Sequence, residues 1–371
     1  MTATNAIPVK LRRIDLVVKP YMVSNNWIAF WQLANTLVPL AACSALLVFL
    51  TKSLSLYSIL SAPVLVVLIV LLLSRSFSLM HDCGHNSLFV SSSLNRLAAF
   101  VLSLIHAMPH YPWSMGHAFH HRHNGNWSQY RGPSALITLR EYSGKSSASK
   151  FLYRLLRNPI VLIPGGFYYL VLKPRIALIL AGLEFIGQAI NYCCGCIFGA
   201  KSVGVAQFFS EYSSKFFYSR RELFDTVANS LFVVLAWLWI GGSIGHWHFW
   251  VLYSLIMSLS AALMIAVFFV QHNFEGSYAS GQEGWSYFRG AIEGSSYLRL
   301  PKVLNWFTAD IAYHHIHHLS ERIPNYRLRD CHEANEHLLG SVSSLYLSQV
   351  VKCFSLILWD DEACKLVPAV G

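Results

Sequence analysis

Ten of the 17 histidines fall in three short stretches: HDCGH at 81–85, GHAFHHRHNGN at 116–126 and YHHIHH at 313–318. His117, His120 and His121 stand at i, i+3 and i+4, and His314, His317 and His318 repeat that spacing. His81 and His85 are four apart. On a helix, residues three and four apart share a face, so each stretch aims its imidazoles at one point. Neutral imidazole is the commonest side-chain metal ligand, through either ring nitrogen. A solvated histidine tract has no need of helical spacing, and Trp113, Met115 and Phe119 make the second stretch a poor candidate for a disordered one. A tetrahedral ion takes about four ligands, so these eight imidazoles suit two metal ions. Imidazole serves zinc, copper, iron and nickel alike, and ligand type alone does not choose among them.

The elements that must position these side chains are apolar. The 371 residues are 54% hydrophobic and 12% charged, with a mean hydropathy of +0.43. Soluble domains carry about 25% charged residues, so this chain sees lipid. The net charge of +10 sits beside apolar runs rather than in a stripe with interleaved aromatics. That placement fits anionic headgroups on the cytosolic side and excludes nucleic acid as a partner. The eight cysteines form no disulfide framework; Cys83 lies inside the first histidine motif, Cys43 lies in an apolar run, and the cluster Cys193, Cys194 and Cys196 in another such run reads as buried thiols rather than a metal site.

Runs at 27–50 and 57–80 form a first hairpin, preceded by Lys10, Arg12, Arg13 and Lys19, which place the N-terminus in the cytosol. The hairpin returns the chain to the cytosolic side at His81. The 94–108 run is too short to span and must not cross, or the second motif would be stranded. Residues 132–157 read as a basic cytosolic loop leading into an interfacial helix. The 159–200 region, with Glu184, Gln188 and Asn191 in its apolar text, either crosses twice or lies in the interface. Lys215, Arg220 and Arg221 mark the cytosol again. Runs at 227–240 and 249–270 make a second hairpin, with His246 and His248 in its turn in structural or interfacial roles. The expected fold is an all-α integral membrane protein: transmembrane helical hairpins capped by a cytosolic helical domain that holds a histidine-ligated two-metal centre. One domain covers the chain, divided into a cytosolic segment 1–26, a hairpin 27–80, a cytosolic or interfacial region 81–225, a hairpin 226–270 and a cytosolic region 271–371.

HDCGH, HAFHH and HHIHH between two apolar hairpins resemble the three histidine boxes of the membrane fatty acid desaturase superfamily, over about 27–328. QHNFEGSY at 271–278 and EGSSYLRLPKVLNWFTADIAYHHIHHLSERIPNYRL at 293–328 resemble acyl-chain desaturases of the delta-12 (omega-6) type, bacterial ones above all. The resemblance implies two iron ions held by His81, His85, His117, His120, His121, His314, His317 and His318. It also implies dioxygen as co-substrate, two external electrons, and a cis double bond made in an acyl-lipid or other fatty acyl substrate. The expected location is a bacterial inner membrane, with the active site facing the cytosol. Attack on an unactivated methylene requires a redox-active metal, and zinc has no redox chemistry. A narrow apolar channel must place one carbon pair beside the metals, because positioning decides which bond reacts.

His272 is expected as a ninth ligand. It ends the last span at the depth of His81, and Gln271 and Asn273 beside it could fix its tautomer. Superfamily members often carry such a histidine, and eight imidazoles serve two metals unevenly. Asp82 reads as an acceptor for a ligand imidazole; His106, His110, His123 and His315 read as supporting or structural; Asn126 receives no role. Where some desaturases carry a heme-binding HPGG, this chain has IPGG at 163–166, so a separate ferredoxin or cytochrome with its reductase is expected to supply electrons. The basic cytosolic segments either dock such a donor or contact headgroups. The competing readings are an acyl-chain hydroxylase or ketolase on the same scaffold, and a zinc-dependent membrane hydrolase or transporter.

Overall fold

The first hairpin comprises α1 (Asn26–Thr51) and α2 (Leu56–Gly84). The computed structural model describes residues 12–52, 55–199 and 204–369; Lys10 and Ala200 lie outside the described residues. Polar caps start both helices: Asn25 accepts from the N–H groups of Trp27 and Ile28, and Ser55 from that of Ser58. These caps satisfy donors that hydrocarbon cannot. At about 1.5 Å per residue both helices exceed the roughly 30 Å hydrocarbon core. Nearly every α2 residue over 69–83 is buried. Among them is Arg75, whose guanidinium donates to Thr36 Oγ1 at 3.0 Å and to the Trp306 carbonyl, and lies 4.2 Å over the Trp306 ring. An intramembrane charge persists when it is paired in this way.

Helix α3 (Ser92–Ile105) has 14 residues, about 21 Å, and packs against α2. Next is α4 (His110–His123), whose first turn is pinned when the Tyr111 N–H donates to Asp225 at 2.9 Å. Strand β1 (Ile137–Thr138), α5 (Leu139–Ser143) and α6 (Ser147–Leu156) precede α7 (Leu162–Phe167), a π-helical turn at Tyr168–Leu172, α8 (Lys173–Ile197) and α9 (Val205–Glu211). The IPGG text lies in α7, which packs tightly on the last span: a Cβ at Gly166 would stand 2.7 Å from that of Ala261. Among the described residues four helices are long and apolar enough to cross a membrane, and α8 is not one of them. Its Glu184 accepts from Ser214 Oγ and the Lys215 N–H, so this polar group serves local structure.

The second hairpin is α10 (Arg220–Ile244) and α11 (His246–Val270), joined at Gly245 with φ 93°. With α1 and α2 these make the four candidate spans. Helix α10 starts seven residues before the apolar run because Ser219 caps it at Glu222. His246 and His248 belong to the first turn of α11 rather than to a connecting turn. His248 Nε2 lies 3.0 Å from Thr51 Oγ1 at the end of α1. The end of α1 and the start of α11 therefore share one side of the bundle, and the ends of α2 and α11 the other.

That second side carries α12 (Tyr287–Ile292), β2 (Tyr297–Arg299), α13 (Lys302–Phe307), α14 (His314–Leu319), α15 (Asn325–Asn335), β3 (Ser344–Tyr346), α16 (Val350–Cys353), β4 (Leu356–Asp360) and β5 (Lys365–Pro368). The architecture is helical, with two small sheets added: β1–β4–β5, in which β1 runs parallel to β4 and β5 antiparallel to it, and a parallel β2–β3 pair. Tyr153 locks α6 to this layer by donating to the Ile357 carbonyl at 2.6 Å. Cys193, Cys194 and Cys196 are exposed, not buried. Only Ala181 of α8 is buried, so that helix turns most of its apolar text outward.

Candidate metal centre

Helix α4 presents His117, His120 and His121 on one face, and the single turn of α14 does the same with His314, His317 and His318. These faces meet between the ends of α2 and α11. The nine singled-out imidazoles fall into two groups: His81, His85, His117, His121 and His317 in one, and His120, His272, His314 and His318 in the other. Within each group one nitrogen per ring lies within 4.8 Å of all the others. In the first, Nε2 of His117 is 2.8 Å from that of His81 and 3.0 Å from that of His121, which is 3.0 Å from that of His317. In the second, Nε2 of His314 is 2.9 Å from that of His272 and 3.2 Å from that of His318, which is 3.2 Å from that of His120. His85 is the residue that caps α2 after Gly84; its N–H donates to the His81 carbonyl at 3.3 Å, and the two rings stand 4.7 Å apart on the same side.

The positions of protons decide whether these donors fit cations. His81 Nδ1 faces Asp82 Oδ1 at 3.2 Å, His85 Nδ1 faces Glu321 Oε2 at 3.2 Å, and His272 Nδ1 faces the Gly294 carbonyl at 3.0 Å. Each acceptor draws the ring proton to Nδ1 and leaves the Nε2 lone pair pointing inward. The buried His85 Nε2 has no hydrogen-bond partner. Burial first, and repulsion from neighbouring imidazoles second, push His117, His120, His121, His314, His317 and His318 well below the ordinary histidine pKa. Burial lowers His272 to about 4, against a raising contribution from its bond to Gly294. Neutral rings with converging lone pairs repel one another unless a cation lies between them, so the donor set fits two metal ions.

Asp82 Oδ2 also accepts from the Asn325 N–H (2.7 Å) and side-chain amide (2.9 Å), and Asn325 Oδ1 accepts from Gln32 at 2.7 Å. Residues on α1, α2 and α15 thus orient one imidazole. Sequence reasoning missed Glu321 and Gly294. Glu321, three residues past the third motif, was visible in the text; a backbone carbonyl 22 residues from His272 left no signal. Gln271 and Asn273 do not touch the His272 ring; they donate to the carbonyls of Ile311 and Leu356. Asn124, ending α4, donates to the Gly290 and Gly294 carbonyls and fixes the segment that holds His272. Asn126 donates to Gln282 at 2.8 Å. His106 reaches Ser76 Oγ, His123 the Phe119 carbonyl and His315 the His332 ring, while the His110 ring lies against Gly84. None of these four belongs to either group.

A cavity of about 360 Å³ opens onto the centre. His117, His120 and His272 reach its wall, so both groups are represented; Phe77, Met264 and Phe268 make the rest of it apolar.

Membrane-length helices and a doubled imidazole cluster beside an apolar cavity define a polytopic membrane protein with a histidine metal centre. The fatty acid desaturase family model matches residues 57–349, and the chain belongs to that family. A fatty acid desaturase of Bacillus subtilis is 31% identical over 80% of this chain and 74% of its own length. A sn-1 oleoyl-lipid 12-desaturase of Picosynechococcus sp. is 24% identical over 89% and 86%. An acyl-lipid omega-3 desaturase (cytochrome b5) of Arabidopsis thaliana is 27% identical over 71% of this chain and 61% of its own length. The chain is accordingly an oxidoreductase that desaturates fatty acyl chains.

Proposed function

We propose that this desaturase forms a cis double bond in the acyl chain of a membrane lipid, using dioxygen, two iron ions and electrons from a separate donor. His81, His85, His117, His121 and His317 would hold one ion, and His120, His272, His314 and His318 the other. Such a pair, when bound, supplies the oxidising power that an unactivated methylene requires. The protein's part is positioning. The apolar cavity excludes water and holds the chain against His117, His120 and His272; Asp82, Glu321 and Gly294 keep protons on the outer nitrogens of three rings. The cavity reaching both groups carries this reading. Lipid gas chromatography of cells expressing the chain tests it. A new double bond supports it and gives the position; a hydroxyl or keto group in its place would identify the hydroxylase or ketolase activity. Stoichiometric zinc in protein made with its native metal would sink the iron assignment.

His272 lies outside the three motifs, yet its Nε2 is 2.9 Å from that of His314 and its ring is buried. We expect His272→Ala to bind fewer than two irons per chain and to lose product. Two irons at normal occupancy would remove His272 from the ligand set, whatever the activity.

The centre is assigned to the cytosolic face of a bacterial inner membrane, with both termini on that side. Arg12, Arg13 and Lys19 precede α1, and Lys215 precedes α10, on the side to which α2 and α11 return. A reporter fused after Leu328 should read cytosolic; an extracytosolic reading would overturn this orientation.

A further inference from the structure

Beside the cavity that meets the metal centre lies a second, of about 210 Å³, and Met108, Pro112, Trp113 and Tyr169 line both. We infer that Tyr169 is the divider between two compartments of one substrate track and so determines which carbon pair reaches the centre. The inference rests on the assignment of the inner cavity to the acyl chain.

Polarity orients the track. The outer compartment carries Lys173 and Glu222 among apolar residues such as Phe216 and Phe217. The inner one is apolar apart from its imidazoles and Tyr hydroxyls. An acyl chain therefore enters methyl end first and leaves its ester end among the outer polar groups. Beyond the inner compartment, Tyr130 and His272 also line a cavity of about 40 Å³, room for a water and not for a chain. The number of carbons between the polar end and the centre is thus set where the two larger compartments meet.

The shared residues differ in freedom. Pro112 and Trp113 ride on α4, and Trp113 stacks on His117 with centroids 5.0 Å apart and planes within 9°; changing them disturbs the centre itself. Tyr169 lies instead in the π-helical turn Tyr168–Leu172. Such a turn places an extra residue in the helix and re-aims its side chains, a device frequent at functional sites. Its neighbour Leu170 is buried in the inner wall, and Lys173 sits 4.9 Å over the Tyr169 ring. The close Gly166–Ala261 contact ahead of the turn anchors it to α11. Tyr169, 45% exposed, thus touches both compartments and makes no ring contact with an imidazole of the centre.

The test compares Tyr169→Ala and Tyr169→Trp with wild type. Double-bond positions are read by mass spectrometry of derivatised methyl esters, and iron content by elemental analysis of the purified proteins. Removing the divider should shift the ratio of neighbouring positional isomers by about tenfold, the scale on which a methylene or two of fit discriminates, with iron retained. Enlarging it should reduce yield most for the longest chains. Wild-type isomer ratios and chain-length preference in both variants overturn the inference; Tyr169→Leu is read in the same way if the alanine variant loses iron. Gly116→Phe separates the two layers, because Gly116 lines the inner cavity and a Cβ there meets nothing within 4 Å. If it keeps iron and full product yield, the inner cavity is not the acyl site and the underlying reading fails. If it blocks product while both Tyr169 variants behave as wild type, only the role of Tyr169 fails. Gly116→Leu substitutes if phenylalanine costs the iron.

Discussion

Exchange of His317 for alanine is expected to lower product by more than about 100-fold. Loss of a mere outer partner of a metal ligand costs about 10–100-fold in affinity or activity, and His317 stands inside the cluster. Its Nε2 is 3.0 Å from that of His121, and its ring is 4.4 Å from that of His81. No neighbour can replace it, because each other imidazole of the group occupies its own position around the same point. His85→Ala and His120→Ala should behave alike, one from each group. His246→Ala and His332→Ala are the controls. His246 lies at the far end of α11, and His332 pairs with His315 outside both groups. The readings are fatty acid methyl esters from expressing cells and iron in the purified proteins. Wild-type product from any of the first three variants would remove that residue from the site.

The second large effect concerns electrons. Forming a C=C bond takes two protons and two electrons from the substrate, whereas reducing dioxygen to two waters takes four of each. On the proposed use of dioxygen, two electrons per turnover would therefore come from elsewhere. The IPGG text at 163–166 is built into α7 and seated on α11 through Gly166. It is a packing element and has no histidine to offer a heme. Purified protein given substrate and dioxygen alone should show no sustained turnover, and a ferredoxin or cytochrome with its reductase should restore it. Steady product formation with no donor present would refute this dependence.

Eight of the nine clustered imidazoles stand out in the text because they concentrate in three short stretches and helical spacing is a local property, whereas His272 lies outside that spacing. His117, His120 and His121 meet on one helical face whatever surrounds them. The spans were readable for a related reason, since lipid imposes length and apolarity on a continuous run. What could not be read is what distant segments do to one another. Glu321 serves His85 across 236 positions and Asn325 serves Asp82 across 243. The β1–β4 pairing joins two residues to a strand more than 200 positions away, and strands that short carry no periodicity of their own. The exposed cysteines of α8 failed for another reason. Apolar text in a membrane protein does not distinguish a side chain facing lipid from one facing the core.

Each of the two groups takes rings from both α4 and α14, and the remainder from the ends of α2 and α11. During synthesis, therefore, the first hairpin and α4 can bring His81, His85, His117 and His121 together, but neither group is complete until the last rings arrive with residue 318. The clasp closes when nearly the whole chain is made. A chain stalled or cut before α14 would keep nearly the full hydrophobic span but only part of each group, four rings of the first and His120 and His272 of the second. On the proposed metal assignment, full occupancy of both groups would report that the chain had been completed through residue 318.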